Sequence, residues 1–551
     1  MTTALSPDHV IPAPSLGDIV PAPSLGEIVW GLPGALVGVP IDGAEDFSTT
    51  PVFDLLREAT ARAPRAIALA GQHNSLTYGD MLRLAQNSAT AVAAMVPPGG
   101  SVACMLPRTP EAIAGLLGCL MSGRLCMMLN LFSPMERLAD LLADAAPDAL
   151  LLDQPLPFQH AVPTLTLQAA LAGPDRDWLP DRRWDPDAPF VVHFTSGSTG
   201  RPKGIVHSAR SMLFRACEAT GIFPVGPHDR VFGHAVPVEI NGPSILLHAL
   251  AHGARVVLGN LAVEGAGGLL RLLEREAVTS IMGAVPIYRL LFKMDRARDA
   301  FRALRAIRTG SASQQKAELA AWREMLPPDC VYGHAYASTE ALVMAQWVVP
   351  RDDAHPGDDD GRETTIAAGM VRPFHDYAIL GEDGRPVRFG DIGELVLRSR
   401  YIALGEWQGG RLVPGRMTLA PDRPGWRIFR TGDLVRLQAD GMLRVVGRAD
   451  RQLKINGVRI EPAEIEAVLR AEPGVTDAVV VVCAETANVT LHGFVVAAAA
   501  DHAELIAALR RRVVAALPGA MRPSRVTVLG RLPTLPSGKV DIVALSQWPA
   551  V

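Results

Sequence analysis

A loop rich in glycine, serine and threonine follows a short apolar segment near the middle of the chain. Residues 190–194 read Phe-Val-Val-His-Phe, which predicts the end of a buried strand. Glycines let backbone N–H groups approach an anion, hydroxyls donate further hydrogen bonds, and a lysine adds a positive charge. The pattern predicts a polyphosphate-binding loop; the alternative is a flexible surface loop. Its candidate anion-binding residues are Thr195, Ser196, Gly197, Ser198, Thr199, Gly200 and Lys203.

This loop differs from the common phosphate-binding loop, G-x-x-x-x-G-K-[ST], in which a hydroxyl residue follows the lysine at the start of a helix. Here Pro202 precedes Lys203 and Gly204 follows it. The polyphosphate prediction therefore rests on the composition and position of the loop.

Length and charge exclude several classes of protein. A chain of 551 residues is too long for one core, so at least two domains are expected. Lys plus Arg is 53 and Asp plus Glu is 57, a net charge of −4, which argues against a nucleic-acid or membrane-surface partner. The six cysteines lack a C-x-x-C pair, and neither a secretory signal nor a membrane-spanning run is found. Free thiols and a cytoplasmic location are expected.

The order of predicted elements indicates the domain organisation. Residues 12–20 and 21–29 are a tandem repeat, so residues 1–48 are expected to form a poorly ordered proline-rich tail, with a partner-docking segment as the alternative. From Phe53 onwards, helical patterns alternate with short apolar strands, which predicts an α/β fold. A polar, glycine-bracketed stretch predicts a boundary near residue 449. The predicted domains are a large one, 49–449, and a small one, 450–551.

Two further segments carry nucleotide-binding chemistry. His334-Ala-Tyr-Ala-Ser-Thr-Glu340 combines an aromatic ring, hydroxyls and a carboxylate on one predicted turn after a strand at 330–332. A tyrosine can stack on a purine, and a carboxylate is a ligand that Mg²⁺ prefers beside phosphate oxygens. The alternative is a set of capping residues at a helix start. Asp433 follows Thr-Gly at the predicted end of a strand, where an acidic residue can accept two ribose hydroxyls.

These segments resemble, in order and spacing, the motifs of the adenylate-forming enzymes, which comprise the acyl-CoA synthetases, the luciferases and the adenylation domains of peptide synthetases. The resemblance covers about residues 50–545 and is greatest to a stand-alone amino-acid adenylation domain. It implies a large domain of two α/β sheets and a small β-barrel-like subdomain, followed by a small mobile α+β domain. It also implies ATP and Mg²⁺ as cofactors.

The resemblance implies a role for individual residues of the nucleotide site. Tyr336 would flank adenine, Thr339 would contact the α-phosphate and Glu340 would hold Mg²⁺. Asp433 would bind the ribose, with Arg448 near the ribose and phosphate. His334 and Ala337 stand where the family usually has asparagine and glycine. The remaining implied nucleotide contacts are Gly310, Ser311, His334, Ala335 and Ser338.

Catalysis is implied to need the small domain. The segment from Leu532 to Asp541 resembles the family's terminal element, whose lysine, here Lys539, would bind the substrate carboxylate and the α-phosphate. Its positive charge offsets the charge that develops when a carboxylate attacks phosphorus. Lys539 would be the chief catalytic residue, and Lys203 would stabilise the leaving pyrophosphate. Thr199 and Glu340 are also implied in catalysis. Asp450 would be the hinge, and Lys454 and Gly457 would face the tunnel for the thiol substrate.

The acyl substrate is left open between two classes. Standard amino-acid adenylation domains keep an aspartate in the 239–241 region for the substrate ammonium, whereas this chain offers Glu239. In one reading Glu239 binds the ammonium of a small or non-standard amino acid, displaced by one methylene relative to the usual aspartate site. In the other reading Glu239 is structural and the substrate is a simple carboxylic acid. An amino acid is preferred, because residues 398–407 and 448–466 are more similar to amino-acid adenylation domains. The implied pocket residues are His234, Glu239, Asn241, Gly242, Ala284, Ile307, Thr309, Ala335, Val343 and Met344.

Three hypotheses remain for the acceptor. Because no serine-centred carrier motif follows Lys539, a free-standing enzyme of nonribosomal peptide or antibiotic biosynthesis is expected. It would pass its acyl group to the phosphopantetheine thiol of a separate carrier protein. Coenzyme A is the second choice of acceptor. The third hypothesis is a catalytically idle nucleotide-binding protein, against which the full set of charged motif residues argues.

Overall fold

A computed structural model describes the protein in twelve segments. They are residues 49–130, 133–173, 185–195, 202–220, 225–233, 241–349, 365–449, 453–455, 458–485, 488–497, 502–533 and 540–548. The predicted tail, residues 1–48, lies outside them.

Strands and helices alternate through most of the described chain, as predicted. The strands are β1 (Ile67–Ala70), β2 (Ser75–Thr77), β3 (Ser101–Met105), β4 (Leu125–Met128), β5 (Ala149–Leu152), β6 (Thr164–Thr166), β7 (Pro189–Thr195), β8 (Lys203–Ser208), β9 (Arg230–Gly233), β10 (Arg255–Val257), β11 (Ser280–Ala284), β12 (Ala306–Gly310), β13 (Val331–Ser338), β14 (Leu342–Val349), β15 (Met370–Val371), β16 (Asp376–Leu380), β17 (Ile392–Ser399), β18 (Gly405–Gln408), β19 (Arg411–Val413), β20 (Met417–Leu419), β21 (Arg427–Leu437), β22 (Leu443–Arg448), β23 (Leu453–Ile455), β24 (Val458–Ile460), β25 (Val475–Glu485), β26 (Asn488–Ala497) and β27 (Arg525–Leu529).

The helices begin at recognisable caps in several cases. Thr77 and Thr109 accept a hydrogen bond from the third residue after them, which satisfies a free N–H group at the start of the helix. The helices are α1 (Val52–Arg62), α2 (Tyr78–Met95), α3 (Pro110–Met121), α4 (Met135–Ala145), α5 (Leu167–Leu171), α6 (Ala209–Thr220), α7 (Asn241–Ala251), α8 (Leu261–Arg275), α9 (Val285–Leu291), α10 (Ala297–Ala300), α11 (Lys316–Met325), α12 (Pro462–Arg470), α13 (His502–Ala516) and α14 (Ile542–Ser546).

Two large sheets form the framework of the described chain. Nine strands make the first, in the order β15-β14-β13-β12-β11-β9-β10-β1-β2, and eight make the second, in the order β19-β18-β8-β7-β4-β3-β5-β6. Strands β3, β4 and β5 are buried along their whole length, as is typical of parallel strands covered on both faces. One apolar cluster joins both sheets to helices α1, α2, α3, α6 and α7, so these helices lie between the sheets.

Two smaller units follow the large sheets. Strands β16, β17, β21, β20 and β22 form an antiparallel sheet, and its residues Leu395, Leu397 and Phe429 share an apolar cluster with Met344 of β14. After residue 450, strands β25, β26 and β27 pack on α12 and α13 around a separate apolar cluster. Arg137 of α4 forms an ion pair with Glu464 of α12, which joins this C-terminal unit to the second large sheet.

Two local predictions are wrong. Residues 334–338 were expected on a turn, yet β13 continues through Ser338, because residues 332–338 pair with β14 in an antiparallel hairpin. Asp433 was expected to end a strand, yet it lies inside β21, where it pairs with Arg448 of β22. In both cases neighbouring strands hold an extended conformation through residues that, alone, favour turns. The five cysteines described, which leave out Cys217, are free thiols, as predicted.

Candidate active site

The carboxyl ends of three neighbouring parallel strands meet in one row. Ala284 of β11 pairs with Gly310 of β12, which pairs with Ala335 of β13. The row continues to Gln346 of β14. Ligands of α/β sheets bind beyond the carboxyl ends of parallel strands. Residues predicted to contact substrate and nucleotide are therefore brought to one edge of the sheet.

The backbone turns sharply after β12. A Cβ atom added to Gly310 would lie 2.9 Å from the carbonyl oxygen of Ala335, so only glycine fits without a shift of the backbone. Ser311 follows with φ of 66°, in the left-handed region that non-glycine residues rarely adopt. A strained turn therefore follows directly after the row of strand ends, a type of position where functional sites often lie.

A buried hydrogen-bonded cluster lies one residue below the row. The hydroxyl of Thr309 lies 3.0 Å from Nδ1 of His334 and 3.1 Å from the hydroxyl of Tyr332. Tyr332 also donates a hydrogen bond to Oε1 of Gln314. Thr309 and His334 were predicted to line the acyl pocket and to contact the nucleotide, respectively. The structure joins their side chains to each other.

Two other predicted pocket residues lie in different apolar clusters. Ile307 packs with Tyr288 and Trp322, whereas Met344 packs with residues of the small antiparallel sheet. Val343, between them, is fully buried, and its carbonyl lies 3.1 Å from Nε2 of His375. Burial lowers the pKa of His375 to about 4, so this imidazole is neutral at pH 7.

Three residues from separate motifs form one charged cluster. The hydroxyl of Tyr336 donates a hydrogen bond to Oδ2 of Asp433, and Arg448 forms an ion pair with Oδ1. Arg448 also donates to the carbonyl oxygen of Thr431 at 3.3 Å. Desolvation, with the adjacent Asp433 charge, raises the pKa of the Tyr336 phenol well above its usual value, so the hydroxyl stays a donor. Tyr336 and Asp433, the predicted adenine and ribose residues, are therefore in contact although they lie 97 positions apart in the sequence.

A second charged cluster surrounds Lys203 at the start of β8. Its Nζ lies 3.3 Å from Oε1 of Glu406 on β18 and 3.8 Å from Oε1 of Glu340. The side chain of Glu340 is fully buried, and that of Glu406 is 7% exposed. The predicted pyrophosphate-binding lysine and the predicted magnesium ligand are therefore adjacent.

His207 connects β8 to the turn that carries Glu340. Its Nε2 lies 2.7 Å from the carbonyl oxygen of Thr339, and its Nδ1 lies 3.1 Å from the hydroxyl of Ser211. Burial lowers the pKa of His207 to about 4, although the Thr339 carbonyl and the Glu340 charge act in the opposite direction. The neutral imidazole therefore holds the phosphate-loop strand against the turn.

Part of the predicted site lies outside the described residues. Thr195 is described, and its buried hydroxyl oxygen has no hydrogen-bond partner among the residues that the structure describes. Ser338 caps the turn at Glu340 by accepting a hydrogen bond from the N–H of Ala341. Gly242 lies in helix α7, which begins at Asn241. Outside the description are Ser196, Gly197, Ser198, Thr199, Gly200, His234, Glu239, Asp450, Gly457, Lys539 and the side chains of Asn241 and Lys454.

Sequence reasoning missed three residues of this region. His207, four residues after Lys203, received no role in the sequence analysis, and Glu406 lies 203 positions from the lysine that it contacts. The third is Gln346, which is 5% exposed and whose carboxamide has no partner among the described residues. A buried amide without a partner is costly, which is a signal visible only in the fold.

The residues predicted to bind the nucleotide and its phosphates lie in two charged clusters, one around Asp433 and one around Lys203, as expected of a nucleotide-dependent ligase. Sequence comparison gives the same class. The AMP-binding enzyme model matches residues 56–407, and the model of the AMP-binding enzyme C-terminal domain matches residues 464–539. The chain belongs to the AMP-binding enzyme family, whose members are ATP-dependent adenylate-forming ligases.

Curated relatives include peptide synthetases. The chain is 33% identical over 509 residues to phosphinothricin tripeptide synthetase PhsC of Streptomyces viridochromogenes, covering 89% of this chain and 44% of that protein. It spans less than half of the length of the curated relatives it matches. The protein is thus an adenylate-forming enzyme related to the adenylation domains of nonribosomal peptide synthetases.

Solved structures share the fold, with a large N-terminal and a small C-terminal domain. One is NpsA-ThdA, an artificially fused adenylation-PCP di-domain from Klebsiella oxytoca, with a TM-score of 0.72, 21% identity, and coverage of 87% of this chain and 93% of that one. Another is o-succinylbenzoate CoA synthetase from Bacillus subtilis, with a TM-score of 0.75, 22% identity, and coverage of 89% and 98%. Among the described residues, no helix has the length and apolar character to span a membrane.

Proposed function

We propose that this protein uses ATP to convert a small amino acid to its acyl-adenylate with release of pyrophosphate. It then transfers the acyl group to the phosphopantetheine thiol of a separate carrier protein. The observation that carries the proposal is the cluster of Tyr336, Asp433 and Arg448 beside the row of strand ends. The β21–β22 register brings Asp433 and Arg448 together, and Tyr336 joins them from a motif 97 residues away, so groups suited to the parts of one nucleotide lie in one cluster.

The cluster is suited to the nucleoside part of ATP. Asp433 accepts hydrogen bonds from Tyr336 and Arg448, which fix the direction of its carboxylate. A carboxylate in this state can accept both ribose hydroxyls, and the Tyr336 ring offers an aromatic face to the base. The Arg448 guanidinium supplies a positive charge for the α-phosphate.

The second cluster is suited to the phosphates and Mg²⁺. The described residues contain no group of three metal-ligating side chains. Mg²⁺ in nucleotide sites is usually held by one or two carboxylates together with substrate phosphates. Glu340 is a buried carboxylate of the right type, and the hydroxyl of Thr195, which has no partner among the described residues, can donate to a phosphate oxygen. Bound Mg²⁺ would supply neutralising charge at the phosphate oxygens.

The remaining assignments rest on the family resemblance. We propose a large domain of residues 49–449 and a small domain of residues 450–551, supported by the separate apolar core of the C-terminal unit. Lys539 would supply the charge for attack on the α-phosphorus, and Asp450 would be the hinge that lets the small domain rotate. Lys454 and Gly457 would then face the thiol.

Pyrophosphate exchange into ATP tests the first step. The acids are offered as matched pairs, each amino acid beside the carboxylic acid that lacks its amino group. Exchange with an amino acid and none with its partner supports an ammonium site, and Glu239→Gln should then reduce exchange selectively for amino acids. Silence with every acid would contradict the proposed activity.

Thioester formation tests the second step and the two domains. Coenzyme A is the alternative acceptor, since the same fold occurs in o-succinylbenzoate CoA synthetase. Holo carrier protein and CoA are offered in parallel, and a product with CoA alone would refute the carrier. Lys539→Ala should abolish exchange yet spare thioester formation from supplied adenylate. Asp450→Pro should slow transfer more than exchange; an unchanged transfer rate removes the hinge assignment.

A further inference from the structure

The position of Lys203 is determined by a residue distant in the chain. Strand β18 pairs antiparallel with β8, and Glu406 lies opposite Ile205. Its Oε1 accepts a hydrogen bond from Nζ of Lys203 at 3.3 Å, closer than the 3.8 Å to Glu340. Lys203 is 9% exposed, so both partners of this ion pair are removed from most solvent screening.

Glu406 is itself held from two sides. Gln408 donates a hydrogen bond from Nε2 to Oε2 of Glu406 at 2.9 Å. Gly415, at φ of 57°, packs against the same side chain, and a Cβ atom there would lie 2.4 Å from Cγ and Cδ of Glu406. Trp407, the residue after Glu406, holds β18 in place by donating a hydrogen bond to the carbonyl oxygen of Ala145 at 2.8 Å. A carboxylate held in this way sets the direction of the lysine that it contacts.

We propose that Glu406 is a positioning residue that holds Lys203 in the orientation required by the terminal phosphates of ATP. The proposal rests on the proposed function, in which Lys203 stabilises the leaving pyrophosphate. A lysine has a flexible stem with several rotatable bonds, so an unguided ammonium would sample several directions. Glu406 removes that freedom before ATP arrives, and the more highly charged phosphates then compete for the ammonium.

The sign of each effect distinguishes positioning from direct binding. Glu406→Gln keeps the size and the Gln408 contact but removes a negative charge near the phosphates. ATP should therefore bind at least as tightly, while Lys203 loses its fixed direction. We expect kcat for pyrophosphate exchange to fall about 10- to 100-fold with no rise in KM for ATP. Loss of a phosphate ligand, as in Lys203→Met, should instead raise KM as well.

A double-mutant cycle tests whether Glu406 acts through Lys203. Glu406→Gln should cause no further loss in the Lys203→Met background, because the residue it positions is already absent. Glu276→Gln is the matched control, since Glu276 is a partly buried carboxylate paired with Arg255, the first residue of β10, and so lies at the edge of the nine-stranded sheet opposite the row of carboxyl ends. It should behave as wild type. The proposal would be overturned by additive losses in the cycle or by a wild-type rate for Glu406→Gln. It would also be overturned if Glu406→Gln raised KM without lowering kcat.

Binding of the non-reacting analogue α,β-methylene-ATP separates this proposal from the proposed function. If the wild type binds the analogue but exchanges pyrophosphate with no acid, the proposed amino-acid ligase activity is refuted. The positioning role of Glu406 can still be tested by analogue binding. In that case equal or tighter analogue binding by Glu406→Gln supports positioning, and weaker binding refutes it. Wild type that does not bind the analogue refutes both. Thermal unfolding of each variant identifies any loss that comes from misfolding.

Discussion

The neutral imidazole of His207 should make the large domain sensitive to mild acid. The pKa of His207 is about 4 in the folded protein, against an ordinary value of 6.5, because burial opposes the charged form. Between these two values the unfolded chain binds a proton that the folded chain does not bind. The free energy of unfolding therefore falls as the pH falls from 6.5 towards 4, and it is unaffected by this group above pH 7.

The magnitude follows from the same two pKa values. A difference of one pKa unit is about 1.4 kcal/mol, so the full effect of His207 is about 3 kcal/mol. Between pH 7 and pH 5 the expected loss is about 2 kcal/mol from this residue. His375 has a pKa lowered to about 4 by the same cause and adds a loss of the same sign.

Thermal unfolding of wild type and His207→Gln at pH 7 and pH 5 measures the effect. Glutamine can still donate to the Thr339 carbonyl but does not titrate, so the variant should lose less stability between the two pH values than wild type. The difference should be about 2 kcal/mol, with the share of His375 unchanged. An equal loss in both proteins, or an imidazole NMR titration of His207 with a midpoint near its ordinary value, would refute the reasoning.

Three other perturbations have expected outcomes. Gly204→Ala should destabilise the large domain by about 1 to 3 kcal/mol in thermal unfolding, because the added Cβ would lie 2.6 Å from a methyl group of Val192 in β7. Gly226→Ala is the control and should leave the stability unchanged, because no atom lies within 4 Å of the Cβ position there. Tyr336→Phe should weaken ATP binding about 3- to 10-fold in titration of the nucleotide, because Asp433 loses a donor that orients it; unchanged affinity would contradict that role. Arg137→Ala should speed amide hydrogen exchange in α12, because the buried Glu464 of that helix loses its ion-pair partner. Exchange in β3 should stay slow. Unaltered exchange in α12 would show that other contacts hold the C-terminal unit in place.

Motif chemistry made much of the site predictable. Tyr336, Asp433 and Arg448 could be singled out because each belongs to a short segment whose residue types suit one part of a nucleotide. Alternating helix and strand patterns likewise indicated the α/β fold, because the buried parallel strands are short apolar runs. These signals are local, so they survive in a single sequence.

Contacts between distant segments were not predictable. Nothing in the residues around Glu406 indicates Lys203 as its partner, because the register of β18 against β8 places them together. The extended path of residues 334–338 also depends on a partner strand, and local residue preference favoured a turn. Tertiary pairing overrode local preference at the positions where two motifs meet.

The order of strands in the two large sheets has a consequence for biosynthesis. Strands β1 and β2, near the start of the described chain, belong to the sheet completed by β9–β15, whereas β18 and β19 return to the sheet of β3–β8. The nine-stranded sheet cannot be completed until Val371 has been synthesised, and the eight-stranded sheet cannot be completed until Val413 has been synthesised. Most of the chain must therefore be synthesised with open sheet edges, a state in which pairing with other chains competes with folding. Truncation before Val413 should yield aggregates rather than a smaller folded domain.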